Sequence, residues 1–134
     1  MNKSLHNNTV AELSQMIANK AVSPTELVEH YFSRIETHNP TLNAYVYTNK
    51  ERSIEYAKQA EQQIASGEAT PLTGVPIAQK DIFCTKDMPT TCASKMLKDF
   101  TATYNATVIE KCHQQGLVSL GKLNMDEFAM GSTN

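Results

Sequence analysis

Apolar residues recur at helical spacing in three stretches of the first half of the chain. In the first stretch, Thr9 and Glu12 form a capping-box pattern, in which a hydroxyl and a carboxylate satisfy free backbone N–H groups at the start of a helix. Val10, Leu13 and Ile17 then fall on one face of the predicted helix.

The second stretch carries the same capping pattern in Ser23 and Glu26, with Pro24 at the first helical position. Asn39-Pro40 predicts the end of this helix, because the residue before a proline is disfavoured in helical geometry. The apolar stripe of the helix is wide and consists of Leu27, Val28, Tyr31, Phe32 and Ile35.

The third stretch begins with Thr48 and Glu51, which repeat the capping pattern, and Gly67 is suited to its C-terminal cap. Residues 42–47 precede it and predict a short strand. The apolar face of the third helix is narrower and consists of Ile54, Ala57, Ala60 and Ile64.

After a linker at residues 68–73, the pattern changes to two short apolar runs, 75–79 and 117–121, which predict buried strands. Between them lie a polar stretch, 81–104, with a predicted short helix at 94–98, and a helix that Asn105 caps, that runs through Gln115 and that buries Val108, Ile109 and Cys112. Strand, crossover helix and strand predict a parallel pair with a right-handed connection. The fold class is therefore α/β, with a helical preface at 1–67 and the first strands of a mixed sheet at 68–134.

The composition is that of an ordinary globular chain. Twelve basic and fourteen acidic residues give a net charge of -2, which argues against a basic surface that binds nucleic acid by itself. No apolar run approaches the length of a membrane span, and the N-terminus lacks the apolar core of a secretory signal. Three widely spaced cysteines fit reduced thiols in a cytoplasmic protein.

Lysines follow both predicted parallel strands, Lys80 after the first and Lys122 after the second. The carboxyl ends of such strands are where α/β proteins place their chemistry. Burial would lower the pKa of a lysine there and make it a candidate base. The alternative is that Lys80 points to solvent or pairs with a carboxylate, and local sequence does not decide between them.

Other candidate chemistry is weaker. Cys112 and His113 are neighbours on a helix and point in different directions, which favours a packed thiol and a surface histidine. Asp126 and Glu127 are also adjacent, so their carboxylates are not expected to converge as a pair for acid–base chemistry. The four histidines show no metal-ligand spacing, and both phosphate-binding glycine patterns are absent.

Four motifs carry a resemblance to a known family. Residues 74–81 (GVPIAQKD) resemble the approach to the catalytic lysine of the amidase signature family. Residues 90–97 (TTCASKML), 104–108 (YNATV) and 121–132 (GKLNMDEFAMGS) narrow the resemblance to the branch that supplies the A subunits of glutamyl-tRNA(Gln)/aspartyl-tRNA(Asn) amidotransferases. The likeness covers nearly all 134 residues.

The resemblance implies that Lys80 is the base of a triad with two serines, one preceded by a cis peptide bond. It also implies that Phe128, Met130, Gly131 and Ser132 are neighbours of the substrate pocket. In the family both serines, and the residues that hold glutamine, lie beyond position 134. The chain alone is therefore expected to be inactive.

The same resemblance implies a cytoplasmic protein that hydrolyses glutamine and passes ammonia to a B subunit, with a small C subunit bracing the pair. The B subunit would use ATP and Mg to amidate misacylated tRNA, and this chain would hold no cofactor or metal. Two alternatives are a short non-catalytic binding protein that docks to the same partners and an amidase of other small amides, which residues 124–132 disfavour. Because the sequence ends just after the Gly131-Ser132 turn signal, we expect the fold to continue beyond Asn134.

Overall fold

Two long helices pack on a three-stranded mixed sheet. The computed structural model describes residues 4–131. Within them the helices are α1 (Val10–Ala18), α2 (Pro24–Leu42), α3 (Lys50–Ser66) and α4 (Thr107–Gln114). The strands are β1 (Tyr45–Thr48), β2 (Pro76–Lys80) and β3 (Val118–Leu123), and single 3-10 turns occur at Leu5–Asn7, Lys95–Leu97 and Glu127–Ala129.

The central strand is β3, which pairs with β2 in parallel and with β1 in antiparallel orientation. The predicted parallel pair is confirmed. Ile77 aligns with Ser119 and Gln79 with Lys122, so β3 carries one extra residue between the two pairings. This irregularity shifts the register after Ser119 and moves Lys122 to the face that Gln79 shares.

Two apolar clusters hold the layers together. One joins α2, α3 and the sheet and contains Val28, Phe32, Ala57, Ala60, Val118 and Leu120. The other joins α1, the start of α2 and the residue before β2, and contains Leu13, Ile17, Val22, Leu27 and Val75. Ala57 and Ala60 of α3 are almost completely buried, because a small side chain lets the helix lie close to its neighbours.

The predicted capping boxes of α1 and α2 are both present, with reciprocal bonds between Thr9 and Glu12 and between Ser23 and Glu26. The predicted end of α2 is wrong. The helix continues through Pro40 to Leu42, and Asn43 then ends it in left-handed geometry, with its N–H on the Asn39 carbonyl. Pro40 has no N–H to give to the Glu36 carbonyl, but only two residues of the helix follow it, so the lost hydrogen bond falls at the helix end.

The start of α3 also differs from prediction. Asn49, not Thr48, caps it, and its side chain accepts a hydrogen bond from the Arg52 N–H. Gly67 ends the helix in left-handed geometry, as predicted.

Three further expectations fail locally. Ala106, not Asn105, precedes α4, because the Asn105 side chain binds the Lys86 N–H and Glu110 instead. Val10 and Val108 are exposed at helix starts, at 54% and 43%, since no element in the described part of the chain covers those first turns.

Candidate functional site

The side chain of Lys122 lies in the interior of the protein, with 0% of its surface exposed. Its Nζ is 3.0 Å from the Asp81 carboxylate oxygen Oδ1. It also donates to the carbonyl oxygens of Phe83 at 3.1 Å and Pro89 at 3.0 Å, and to the hydroxyl of Thr90 at 3.0 Å. We term these four contacts the Lys122 clamp. An ammonium group carries three donors and no acceptor, so the four acceptors give every N–H a partner, and two of them share one N–H.

Burial lowers the pKa of Lys122 below its ordinary value, and the neighbouring Asp81 carboxylate opposes that shift. The ion pair and the three further acceptors are what make a charged group tolerable in the interior.

Asp81 is held from both sides of its carboxylate. One oxygen faces Lys122, and the other accepts hydrogen bonds from the backbone N–H and the hydroxyl of Thr91. Its backbone is fixed as well, with the N–H on the Leu123 carbonyl at 3.1 Å and the carbonyl accepting from the Cys92 N–H at 3.2 Å. The residue after Lys80 is therefore tied to β3 and to the long loop.

Lys80 ends β2, and its side chain is exposed. Of the two alternatives for Lys80, the described residues show the one in which it points to solvent, because β2 is the outer strand of the sheet and no described segment covers its last residue. The backbone of Lys80 is well fixed, since its carbonyl accepts from the Phe83 N–H at 3.1 Å and closes a turn over residues 80–83. Its role as a base stays a prediction.

The predicted pocket neighbours lie at the surface. Phe128 is 38% and Met130 is 80% exposed, Gly131 is also exposed, and Ser132 lies outside the described residues. Phe128 has a positive φ of 52° and donates its N–H to the Cys92 carbonyl at 3.0 Å, and Cys92 itself has a φ of 49°. The turns at Cys92 and at Phe128 thus each contain a residue in sparsely populated backbone geometry, and this hydrogen bond joins them next to Asp81.

A second contact joins the same two turns, because Ser94 donates its hydroxyl to Glu127 at 2.6 Å. The Glu127 carboxylate therefore joins the two turns and does not pair with Asp126 for acid–base chemistry. At the other candidate pair, the His113 ring lies on Tyr56, with ring centroids 5.4 Å apart, and both Cys112 and His113 are half-buried.

Sequence reasoning identified both strand-end lysines but missed the clamp. A local signal existed in the threonines that follow Lys80-Asp81, since Thr85, Thr90 and Thr91 supply hydroxyls to this region. Among residues 4–131, no three metal-ligating side chains lie close enough to hold an ion. In the same part of the chain, no helix combines the length and apolarity needed to cross a bilayer.

Comparisons with known proteins agree with the motifs. Residues 26–134 match the amidase family. The chain is 53% identical, over 97% of its length, to the A subunit of the glutamyl-tRNA(Gln) amidotransferase of Coxiella burnetii, and 56% identical over 96% to that of Dechloromonas aromatica. It spans 27% of the length of each of these curated relatives.

Solved structures show the same fold. The peptide amidase from Stenotrophomonas maltophilia superposes with a TM-score of 0.88 at 26% identity, covering 93% of this chain and 26% of that one. An amidase family protein from Bacillus anthracis superposes with a TM-score of 0.83 at 34% identity, covering 91% and 25%. The family match covers most of the chain, and sequence and structure agree on it. The chain belongs to the amidase family.

Proposed function

We propose that this chain is the N-terminal part of the glutamine-hydrolysing A subunit of a glutamyl-tRNA(Gln) amidotransferase. The observation that carries the proposal is the identity of more than half of the aligned residues to proteins of that name, over nearly the whole chain. The complete protein would release ammonia from glutamine for the conversion of Glu-tRNA(Gln) to Gln-tRNA(Gln).

In this proposal, Lys80 is the base that takes a proton from a serine supplied by the rest of the protein. Its exposure at the end of β2 supports the role, because the amine is open to a group that arrives from another segment. Covering Lys80 in the complete protein would remove water and favour the neutral amine that a base requires. Phe128, Met130 and Gly131 would border the same pocket, and the isolated chain would be inactive.

Partners and compartment follow from the same proposal. Ammonia would pass to a B subunit that uses ATP and Mg to activate the misacylated tRNA, and a C subunit would brace the pair in the cytoplasm. No cofactor is assigned to this chain.

The test uses a chimera in which this chain replaces the matched 130 residues of the Coxiella burnetii protein, assembled with the partner subunits of that organism. Lys80→Met should lower glutamine-dependent amidation by about 10³-fold, since a general base of this kind contributes roughly 10²–10⁴. Amidation supplied with free ammonia should be retained. Lys111→Met, a change at an exposed lysine of α4, is the matched control.

Full glutamine-dependent activity in Lys80→Met would exclude the proposed role. Equal loss of both activities would instead make Lys80 a structural residue. For the unmodified chain alone, the expectation is no glutamine hydrolysis above the buffer rate.

A further inference from the structure

We propose that Lys122 is a positioning residue for Lys80, acting by locking the turn over residues 80–83 from inside the protein. The proposal rests on the proposed function, in which Lys80 is the base. Lys122 takes no part in the proton transfer itself, and its role is to hold Lys80 in place.

The turn over residues 80–83 begins at Lys80 itself. Phe83 donates its N–H to the Lys80 carbonyl, so the backbone of Lys80 is one end of the turn. This hydrogen bond fixes the Lys80 carbonyl, and with it the peptide plane next to the Cα from which the Lys80 side chain projects. Any change in the turn would therefore change where the amine points.

Lys122 holds this turn at two places. Its Nζ contacts the carboxylate of Asp81, the second residue of the turn, and the carbonyl of Phe83, the fourth. The contacts to Pro89 and Thr90 connect the same ammonium to the returning part of the loop. One buried charge thus joins β3, the turn and the loop.

The side chain of Lys80 has no support of its own within residues 4–131. No hydrogen bond or ion pair to its amine occurs within the described residues, and the side chain is exposed. Its placement in this chain depends on the backbone alone. The Lys122 clamp holds that backbone from inside the protein, in addition to the pairing of Lys80 with Leu123 in the sheet.

The first test is amide hydrogen exchange in this chain, with Lys122→Met, which keeps side-chain length and removes the charge. The Phe83 and Asp81 amides should exchange at least about tenfold faster, while the Leu27 amide at the start of α2 changes less. Thr90→Val, which removes one acceptor and keeps the shape, should have a smaller effect in the same direction. It also keeps the test decisive if Lys122→Met does not fold. Unchanged exchange at Phe83 in the variants that fold would overturn the proposal.

The second test is activity in the chimera described above. Lys122→Met and Thr90→Val should lower the glutamine-dependent kcat, by as much as about 10²-fold for the first, because a displacement near 1 Å of a catalytic group has this effect. Ammonia-dependent amidation, measured in the same preparation, should not change. A purely structural role would lower both activities in parallel, and that result would overturn the proposal.

Lys80→Met distinguishes a failure of the proposed function from a failure of the positioning role. If it abolishes glutamine-dependent activity while Lys122→Met leaves the kcat intact, the proposed function stands and the positioning role is wrong. If Lys80→Met keeps that activity, the proposed function fails and the positioning role fails with it.

Discussion

Lys122 and Asp81 form an ion pair inside the protein, with 3.0 Å between Nζ and Oδ1 and with 0% and 1% of their side chains exposed. Each charge would be costly in the interior without the other, since desolvation of an isolated ion exceeds what the remaining hydrogen bonds return. The pair joins the central strand to the first residue of the loop, and its two members therefore depend on one another.

Removing one member should destabilise the chain more than removing both charges. We expect Lys122→Met to cost about 3–5 kcal/mol, the range for leaving a buried charge without its partner. The double variant with Asp81→Asn should cost less than the sum of the two single changes, because neither charge remains. Urea unfolding of the four proteins measures the coupling, and strictly additive free energies would contradict it.

Gly121 should not tolerate a side chain. Its φ is 146°, and a Cβ there would overlap the Tyr47 carbonyl oxygen on β1. We expect Gly121→Ala to cost at least about 2 kcal/mol by forcing β1 away from β3. Gly67→Ala is the control, because nothing lies within 4 Å of a Cβ at that position. It should cost about 1 kcal/mol for its positive φ alone. Equal melting temperatures for the two variants would refute the expected overlap.

The capping box of α2 makes stability depend on pH. The Ser23 backbone N–H donates to Glu26 at 2.8 Å, and this bond, with the Ser23 side chain, holds the pKa of Glu26 below its ordinary value of 4.5. A carboxyl with a lowered pKa in the folded state contributes stability that is complete above the unfolded pKa. This contribution is lost as the pH falls through the folded pKa. The stability advantage over Glu26→Gln should thus be constant near neutral pH, begin to decline as the pH approaches the ordinary value of 4.5, and disappear once the pH is below the lowered pKa of the folded state.

Thermal unfolding at several pH values measures this difference. Glu29→Gln, a change at an exposed glutamate of the same helix, is the control and should show no comparable loss. An advantage over Glu26→Gln that persists unchanged at pH 3 would argue against the assignment.

Tyr56 and Asp87 give a spectroscopic prediction. Burial, together with a hydrogen bond from the Tyr56 hydroxyl to Asp87 at 2.6 Å, raises the pKa of Tyr56 to about 12. Asp87→Asn removes the charge that opposes ionisation, so the pKa of Tyr56 should fall, although burial keeps it above the ordinary value of 10.0. Ultraviolet titration measures the shift, and Tyr56→Phe identifies the titrating group. Asp99→Asn, at an exposed aspartate, should leave the curve unchanged.

Much of the fold was predictable from local pattern. Capping residues such as Ser23 and Thr9 act within one turn of helix, and the predicted boxes of α1 and α2 are present, whereas Asn49 replaces Thr48 as the cap of α3. The parallel pairing of β2 and β3 followed from strand, helix and strand in order. Predicted helix boundaries were wrong where a competing contact decided the outcome. The side-chain amide of Asn105, for example, binds Lys86 and Glu110 and does not cap the helix.

The sequence by itself determined the elements, the family and the two lysines near the carboxyl ends of the parallel strands. Only the tertiary structure decided which lysine is buried. Lys80 ends the outer strand, whereas Lys122 lies on the central strand, in register with the buried Gln79 and covered by a loop that returns over it. A local pattern describes neighbours along the chain. The desolvation of a charge depends instead on segments distant in sequence that meet around it.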